Sequence, residues 1–289
     1  MLITVFTPTY NRARLLSRLH ESLKAQTYQS FEWIIVDDGS TDNTEAVIDS
    51  LLERQSEYGF SLRYFKQQNG GKHRAINRGV QEARGELFYI ADSDDYLPDD
   101  SFVKVAEKYA EIKNDKTIGG ICGLDMTPQG DVIGSGLPCE EIICSSLNLR
   151  VKYHVTGDLK EVFLTHVMRE FPFPEFEGER FCPEALVWNR IAQKYNLLFF
   201  NEPIYIAEYQ PEGITASIVR ARMNSPVASV TTYQEFNSYN IPIKEKIKAA
   251  INYWRFHACV AKGKQVPKLP WYWFWCQPIG YLMHLRDKR

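Results

Sequence analysis

Three polar clusters each follow directly on a compact apolar segment. Thr7-Pro8-Thr9-Tyr10-Asn11-Arg12 follows Leu2–Phe6, Asp37-Asp38-Gly39-Ser40 follows Phe31–Val36, and Asp92-Ser93-Asp94-Asp95 follows Leu87–Ala91. Carboxylates alternating on a tight turn are hard oxygen ligands for Mg²⁺ or Mn²⁺, ions that keep waters and share phosphate oxygens of a substrate. Asp92 and Asp94 therefore read as a divalent-metal turn. An EF-hand would need Gly at Leu97 and Glu at Val103, so that loop type is excluded. Asp99 and Asp100 read as caps of a helix beginning near Phe102. Asp38 stands where an acid holds a ribose or base edge in dinucleotide-binding sheets. Asn69-Gly70-Gly71-Lys72-His73 is a glycine turn opening a helix, whose N-terminus and Lys72 can face phosphate or base. No G-x-G-x-x-G follows the first apolar segment and no G-x-x-x-x-G-K-[ST] occurs anywhere, so nicotinamide-cofactor and P-loop readings lack their phosphate loops.

These clusters are far apart in sequence and need a scaffold that gathers them. Leu2–Phe6, Phe31–Val36, Leu62–Phe65 and Leu87–Ala91 are nearly all-apolar strands. Between them run helical stretches: one capped by Asn11 with Leu15, Leu16, Leu19 and Leu23 at helical spacing, then Thr41–Leu52, then Lys72–Ala83. Repeated β-α-β with apolar strands predicts a parallel sheet covered on both faces. Ligands of such sheets bind outside the carboxyl ends of the strands, where all three clusters would converge. After about residue 115 the rhythm changes: Ile118–Leu124 reads as a strand, Phe171–Phe176 as an extended proline segment, Ala185–Lys194 as a helix and Leu197–Tyr205 as a strand.

The 289 residues hold 44% apolar and 24% charged side chains with a net charge of −2, ordinary globular values that argue against disorder and against nucleic-acid coating. Six cysteines at irregular spacing with no C-x-x-C pair fit reduced thiols in a cytoplasmic protein better than a zinc ribbon or a disulfide framework. No secretory leader and no transmembrane run is expected; the most apolar stretch, Leu269–Leu285, is broken by Pro270, Pro278, Gly280 and His284. From about Ile241 the chain turns helical and basic. Between Asn240 and Arg289 ten Lys and Arg stand against two acids, a net of +8 that leaves −10 on the rest. With Trp271, Trp273 and Trp275 alongside, this tail reads either as a solvated helix with a core strip or as a peripheral membrane contact.

TPTYNR, VDDGSTDNT, NGGKHRAINRGVQEARGE and ADSDD, in this order and at these spacings, resemble the family 2 glycosyltransferases. The likeness is close over residues 1–110 and looser to about 216. It implies the GT-A fold: a Rossmann-like, mostly parallel α/β sheet with helices on both faces, followed here by a helical C-terminal tail. It also implies a nucleotide-sugar donor, Mn²⁺ or Mg²⁺ at Asp92 and Asp94, and inversion at the anomeric carbon. The nucleoside would lie against Thr7, Pro8, Tyr10, Asp38 and Lys72, with Asp92 on the donor as well. The family's second signature, an acid pair opening an aromatic helix that ends in Arg, corresponds to Pro183-Glu184-Ala185-Leu186-Val187-Trp188-Asn189-Arg190, with Pro183 standing in place of the first acid. Glu184 then takes the place of the catalytic base, with Glu177 and Glu179 as competitors and helix-dipole stabilisation as its structural alternative. Glu208–Ser217 resembles a loop closing over the donor.

The expected organisation is a catalytic domain over 1–216, with a nucleotide-sugar half (1–110) and an acceptor half (111–216), and a basic aromatic extension over 217–289. The expected activity is transfer from a UDP-type sugar donor to a glycan or glycolipid hydroxyl in cell-surface polysaccharide synthesis, in the cytoplasm or peripherally on the inner face of the membrane. Nucleic acid is not an expected partner. A non-catalytic nucleotide-sugar or carbohydrate binding module and a nucleotidyltransferase are the alternatives.

Overall fold

The computed structural model describes residues 1–209 and 217–288. In chain order the elements are β1 (Ile3–Thr9), α1 (Leu16–Lys24), β2 (Phe31–Asp37), α2 (Thr44–Glu53), β3 (Ser61–Lys66), α3 (Lys72–Glu82), β4 (Leu87–Ile90), α4 (Ser101–Ile112) and β5 (Ile118–Met126). There follow β6 (Glu141–Cys144), α5 (Ser146–Val151), β7 (Leu159–Leu164), α6 (Thr165–Glu170), α7 (Glu184–Ile191) and β8 (Asn196–Ile206). The chain then continues as α8 (Ile218–Asn224), α9 (Pro226–Ser238), α10 (Ile243–His257) and α11 (Gln277–Asp287). It divides into two compact units: Met1–Pro172 with Ile191–Tyr209, and Phe173–Arg190 with the described part of Gln210–Arg289.

The first unit is built on one eight-stranded sheet of order β3-β2-β1-β4-β7-β5-β8-β6. Strands β3, β2, β1 and β4 run parallel, as do β5 and β8, while β7 and β6 are antiparallel to their neighbours. The mostly parallel α/β sheet of the sequence reading is therefore present, as a mixed sheet with β7 inserted at its centre. Strands β1, β2 and β4 are buried along their whole length, which is why they read as continuous apolar runs. One face packs Ile3, Val5, Trp33, Ile35, Leu87 and Tyr89 against Leu16, Leu19 and Leu23 of α1 and Phe102 and Val105 of α4.

Two helix starts differ from expectation. Helix α1 begins at Leu16, beyond Asn11, which has a positive φ of 53°. Asn11 Oδ1 instead accepts the N–H groups of Thr41 and Asp42 at 2.8 and 3.3 Å, tying the first loop to the second. At α4 neither Asp99 nor Asp100 makes a side-chain cap; Gln26 Oε1 accepts the Phe102 N–H at 3.1 Å.

The second unit holds α7 and the C-terminal helices. Val230, Tyr253 and Phe256 centre one small core, and Ala250, Trp273 and Cys276 another. No helix among the described residues is long and apolar enough to cross a membrane.

Candidate functional site

Chain order and sheet order part company at β1: β2 and β3 lie on one side and β4 on the other. Such a switch point opens a crevice at the carboxyl ends of the strands. Pro8 helps to open it. Phe6 O accepts the Ala91 N–H at 2.8 Å and β4 pairs no further than Phe6, so the N–H that proline lacks falls where no partner strand remains. Thr7 is fully buried, its Oγ1 accepting from Trp33 Nε1 at 2.9 Å, while Tyr10 is 47% exposed at the mouth.

Asp38, at the end of β2, is buried and saturated. Its carboxylate accepts from Gln67 Nε2 at 2.8 Å, Gly70 N at 2.9 Å and Gly71 N at 2.6 Å. Its work in this structure is to pin the glycine turn. Gly39 permits the approach: its φ is 81°, and a Cβ there would lie 2.9 Å from Asn69 N. The turn launches α3 with Lys72 first, and Lys72 Nζ lies 2.8 and 2.9 Å from the two Asp92 carboxylate oxygens. Thr7, Pro8, Tyr10, Asp38, Lys72, Asp92 and Asp94 thus come from the ends of β1, β2 and β4 and the turn before α3.

The Asp92–Asp95 turn is fixed from several directions. Tyr205, at the end of β8, accepts the Asp92 N–H at 2.8 Å and donates to Asp95 Oδ2 at 2.9 Å, while Asp95 Oδ1 accepts Glu208 N–H at 2.9 Å. Arg18 donates to Asp94 O at 2.9 Å, pairs with Glu208 and lies 4.4 Å over the Tyr96 ring. Behind Tyr205, Lys160 of β7 is buried with its ammonium 3.4 Å from the ring centroid. Asp125, diagonal to Lys160 across the β5–β7 ladder, is buried with Oδ1 lacking a hydrogen bond.

The charges are unevenly tuned. Burial works against the Asp92 charge, but the Lys72 and then the Lys160 ammonium outweigh it and hold the carboxyl below its usual range. Burial and the Asp92 charge push Asp94 up, and burial followed by Asp92 pushes Asp95 up to about 6. Burial, opposed by Lys160, lifts Asp125 to about 7. Two acids crowded on one turn, with Asp94 resisting ionisation, form a donor set that a hard divalent cation fits. Among the described residues no three His, Cys, Asp or Glu side chains gather round one point. Asp92 and Asp94 are the residues that would hold such an ion.

Glu184 opens α7 in the second unit. In that helix Leu186 and Val187 are buried, Trp188 packs edge-on to Phe173 at 5.5 Å, and Arg190 forms a bidentate pair with Glu235 at 2.8 and 2.6 Å. Glu179 is buried and its two oxygens accept Val227 N and Ala228 N at 2.7 and 2.8 Å, capping α9. Glu177 is exposed. Of the expected donor-closing loop Glu208–Ser217, residues 210–216 lie outside the described residues.

Sequence reasoning missed Arg18, Lys160, Tyr205 and Asp125. Nothing local singled them out: Lys160 lies in LKEVFL, which carries two charges in six residues.

Residues 4–135 match the family model described as Glycosyl transferase family 2. The chain is 28% identical over 214 residues to Glycosyltransferase GlyG of Streptococcus pneumoniae serotype 4, covering 71% of this chain and 70% of that protein. Other matched relatives are longer, the shared segment being as little as 14% of their length. Among solved structures, S. aureus TarS 1-349 in complex with UDP-GlcNAc superposes with a TM-score of 0.66 at 19% identity, over 91% of this chain and 74% of that one. Mannosyltransferase PcManGT from Pyrobaculum calidifontis, in complex with GDP-Man and Mn²⁺, gives 0.59 at 19% identity over 99% and 88%. These likenesses establish the GT-A fold.

Proposed function

From the premise that residues 4–135 are a family 2 glycosyltransferase domain on a GT-A sheet, we propose that this protein transfers a sugar, with inversion, from a UDP-type nucleotide-sugar to a hydroxyl of a glycan or glycolipid acceptor in cell-surface polysaccharide synthesis. The observation that carries the reading is the convergence at the β1–β4 switch point of the Asp92–Asp94 turn with the glycine turn that Asp38 pins beside Lys72. The bound ligands of the two superposed enzymes, UDP-GlcNAc in one and GDP-Man with Mn²⁺ in the other, support it.

In this reading Thr7, Pro8, Tyr10 and Asp38 border the nucleoside, and Lys72 and the N-terminus of α3 face the diphosphate. Asp92 and Asp94 would hold a divalent cation, whose chemistry would be to neutralise charge on the leaving diphosphate. Glu184 takes the proton of the acceptor hydroxyl as its oxygen bonds to the anomeric carbon. The bond from that carbon to the diphosphate oxygen breaks from the opposite side, and the nucleoside diphosphate leaves with the electron pair. Residues 1–110 serve the donor, 111–216 the acceptor, and 217–289 form an extension that brings the cytoplasmic enzyme to a membrane-borne acceptor.

Product analysis tests the proposal. Purified protein is incubated with Mn²⁺ and a panel of nucleotide-sugars, with and without oligosaccharide acceptors. Nucleoside diphosphate release accompanied by a new glycosidic bond is the expected result. Pyrophosphate release would make the protein a nucleotidyltransferase, and saturable donor binding without turnover would make it a binding module.

A further inference from the structure

The C-terminal end of the second unit is built with its apolar side outward. The inward positions of the turn Trp271–Cys276 and of α11 are Trp273, Cys276, Gly280 and His284, spaced three and four apart and all buried. They close against α10. A Cβ on Gly280 would lie 2.5 Å from Ile251 O and 2.6 Å from Trp254 Cβ, so only glycine allows this approach. Trp254 Nε1 donates to Trp273 O at 3.3 Å, and Cys259 Sγ meets His284 Nδ1 at 3.5 Å.

The opposite face repeats the same spacing with large apolar residues: Trp271, Phe274, Trp275, Ile279, Leu282 and Leu285, between 42% and 86% exposed. At about 150–250 Å² per aromatic side chain, Trp271, Tyr272, Phe274 and Trp275 alone present roughly 400–600 Å², the size at which an exposed apolar patch marks an interaction surface.

The chain that flanks this face is basic, with Lys264 Nζ also donating to Glu177 O at 2.8 Å. From Ala261 to Lys288 the exposed ionic side chains are Lys262, Lys264, Lys268, Arg286 and Lys288. The single acid of that stretch, Asp287, is taken by Arg255 through bonds of 2.5 and 2.8 Å and is almost buried. A second copy of the same face would set five positive charges against five. A surface of anionic headgroups complements them, while Trp and Tyr suit the depth between headgroup and acyl chain. Helix α11 has eleven residues, fit to lie in the plane of an interface and too short to span one.

We infer that the outward face of Trp271–Leu285 docks on a bilayer containing anionic lipid, its aromatic and leucine side chains entering between headgroups and the flanking lysine and arginine side chains resting on lipid phosphates. The inference rests on the glycolipid side of the proposed function for its purpose, and its test needs no donor chemistry. Full-length protein is sedimented with phosphatidylcholine vesicles that contain or lack phosphatidylglycerol, with tryptophan fluorescence recorded and donor hydrolysis assayed in vesicle-free solution. The expected result is co-sedimentation and a blue shift with anionic vesicles only, weakened by salt. Trp271→Ser/Trp275→Ser/Leu282→Ser, which changes exposed positions alone, abolishes both. Lys262→Gln/Lys268→Gln/Arg286→Gln weakens binding on the order of a hundredfold. Failure of the wild type to sediment with anionic vesicles overturns the inference, as does equal binding to both vesicle types. A concentration-dependent dimer that the triple serine variant dissociates, without vesicle binding, would assign the face to a second copy. Vesicle binding without donor turnover would leave the docking face standing and remove the glycosyltransferase reading instead.

Discussion

Asp38→Ala separates a residue that holds the glycine turn from one that only touches nucleotide. The wild-type carboxylate receives two backbone N–H groups and one amide from Gln67. Hydrogen bonds to a charged partner contribute about 1.5–3 kcal/mol each, and a buried N–H left without an acceptor costs about 1–3 kcal/mol. Gly70 is buried and Gly71 only partly so; water can satisfy the second N–H but not the first. The loss is therefore about 3–5 kcal/mol rather than the sum of three bonds. At about 2–4 °C per kcal/mol for a chain of this size, Tm falls by roughly 6–20 °C. UDP affinity, measured by calorimetry well below Tm, falls with it because Lys72 follows the released turn. Asp38→Asn keeps one acceptor oxygen and lands between. A Tm within about 2 °C of wild type would refute the pinning role, and loss of UDP binding at that unchanged Tm would make Asp38 a direct ligand contact.

Excess EDTA abolishes sugar transfer, and Asp94→Ala removes the Mn²⁺ response; turnover that persists unchanged under chelation would take the metal role from the Asp92–Asp94 turn. Glu184→Gln lowers kcat about 10²–10⁴-fold with donor affinity nearly unchanged, whereas Glu179→Gln lowers Tm by about 4–10 °C through loss of the α9 cap and spares kcat at low temperature. The reverse pattern in steady-state kinetics and melts would move the base to Glu179. Asp125 is a buried acid raised to about 7: above its unfolded pKa the unfolded chain gives up this proton while the native chain keeps it, so stability falls from about pH 4 to about pH 7. Asp125→Asn therefore raises Tm at pH 8 and leaves it nearly unchanged at pH 4; melting curves that shift in parallel at both pH values would refute this.

The β1–β4 part of the sheet was legible because its signals are local. Strands buried on both faces must be apolar throughout, and in β1, β2 and β4 those runs end where the polar clusters begin. Asn11 shows the limit of local reading. Its type and position suit a helix cap, but a positive φ turns it towards Thr41, a partner thirty residues away. The sheet centre was illegible for a related reason. Strand β7 is LKEVFL, with two charges in six residues, and nothing in that string announces a strand between β4 and β5 with Lys160 buried under Tyr205. Glu179 stood in sequence as a competitor of Glu184; only the two N–H groups of α9 reveal that Glu179 is engaged.

These long-range contacts change what the acidic turn is. Read alone, Asp92–Asp95 is a string of ligands. In the fold, Tyr205 bridges the Asp92 N–H and the Asp95 carboxylate, Lys72 holds the Asp92 side chain, and Arg18 holds the Asp94 carbonyl. Each support comes from a different element: β8, α3 and α1. Asp95, outside the pair read as metal ligands, is the foot of the turn, since Tyr205 and Glu208 take its two oxygens. If Asp92 and Asp94 bind a cation as proposed, a turn held this way would need little reorganisation when charge arrives, the condition under which electrostatic stabilisation is most effective. Lys160 extends the argument below the turn. Its ammonium lies against the Tyr205 ring and lowers both Asp92 and Asp95, so strand β7, absent from the motif, contributes to the charge state of the motif.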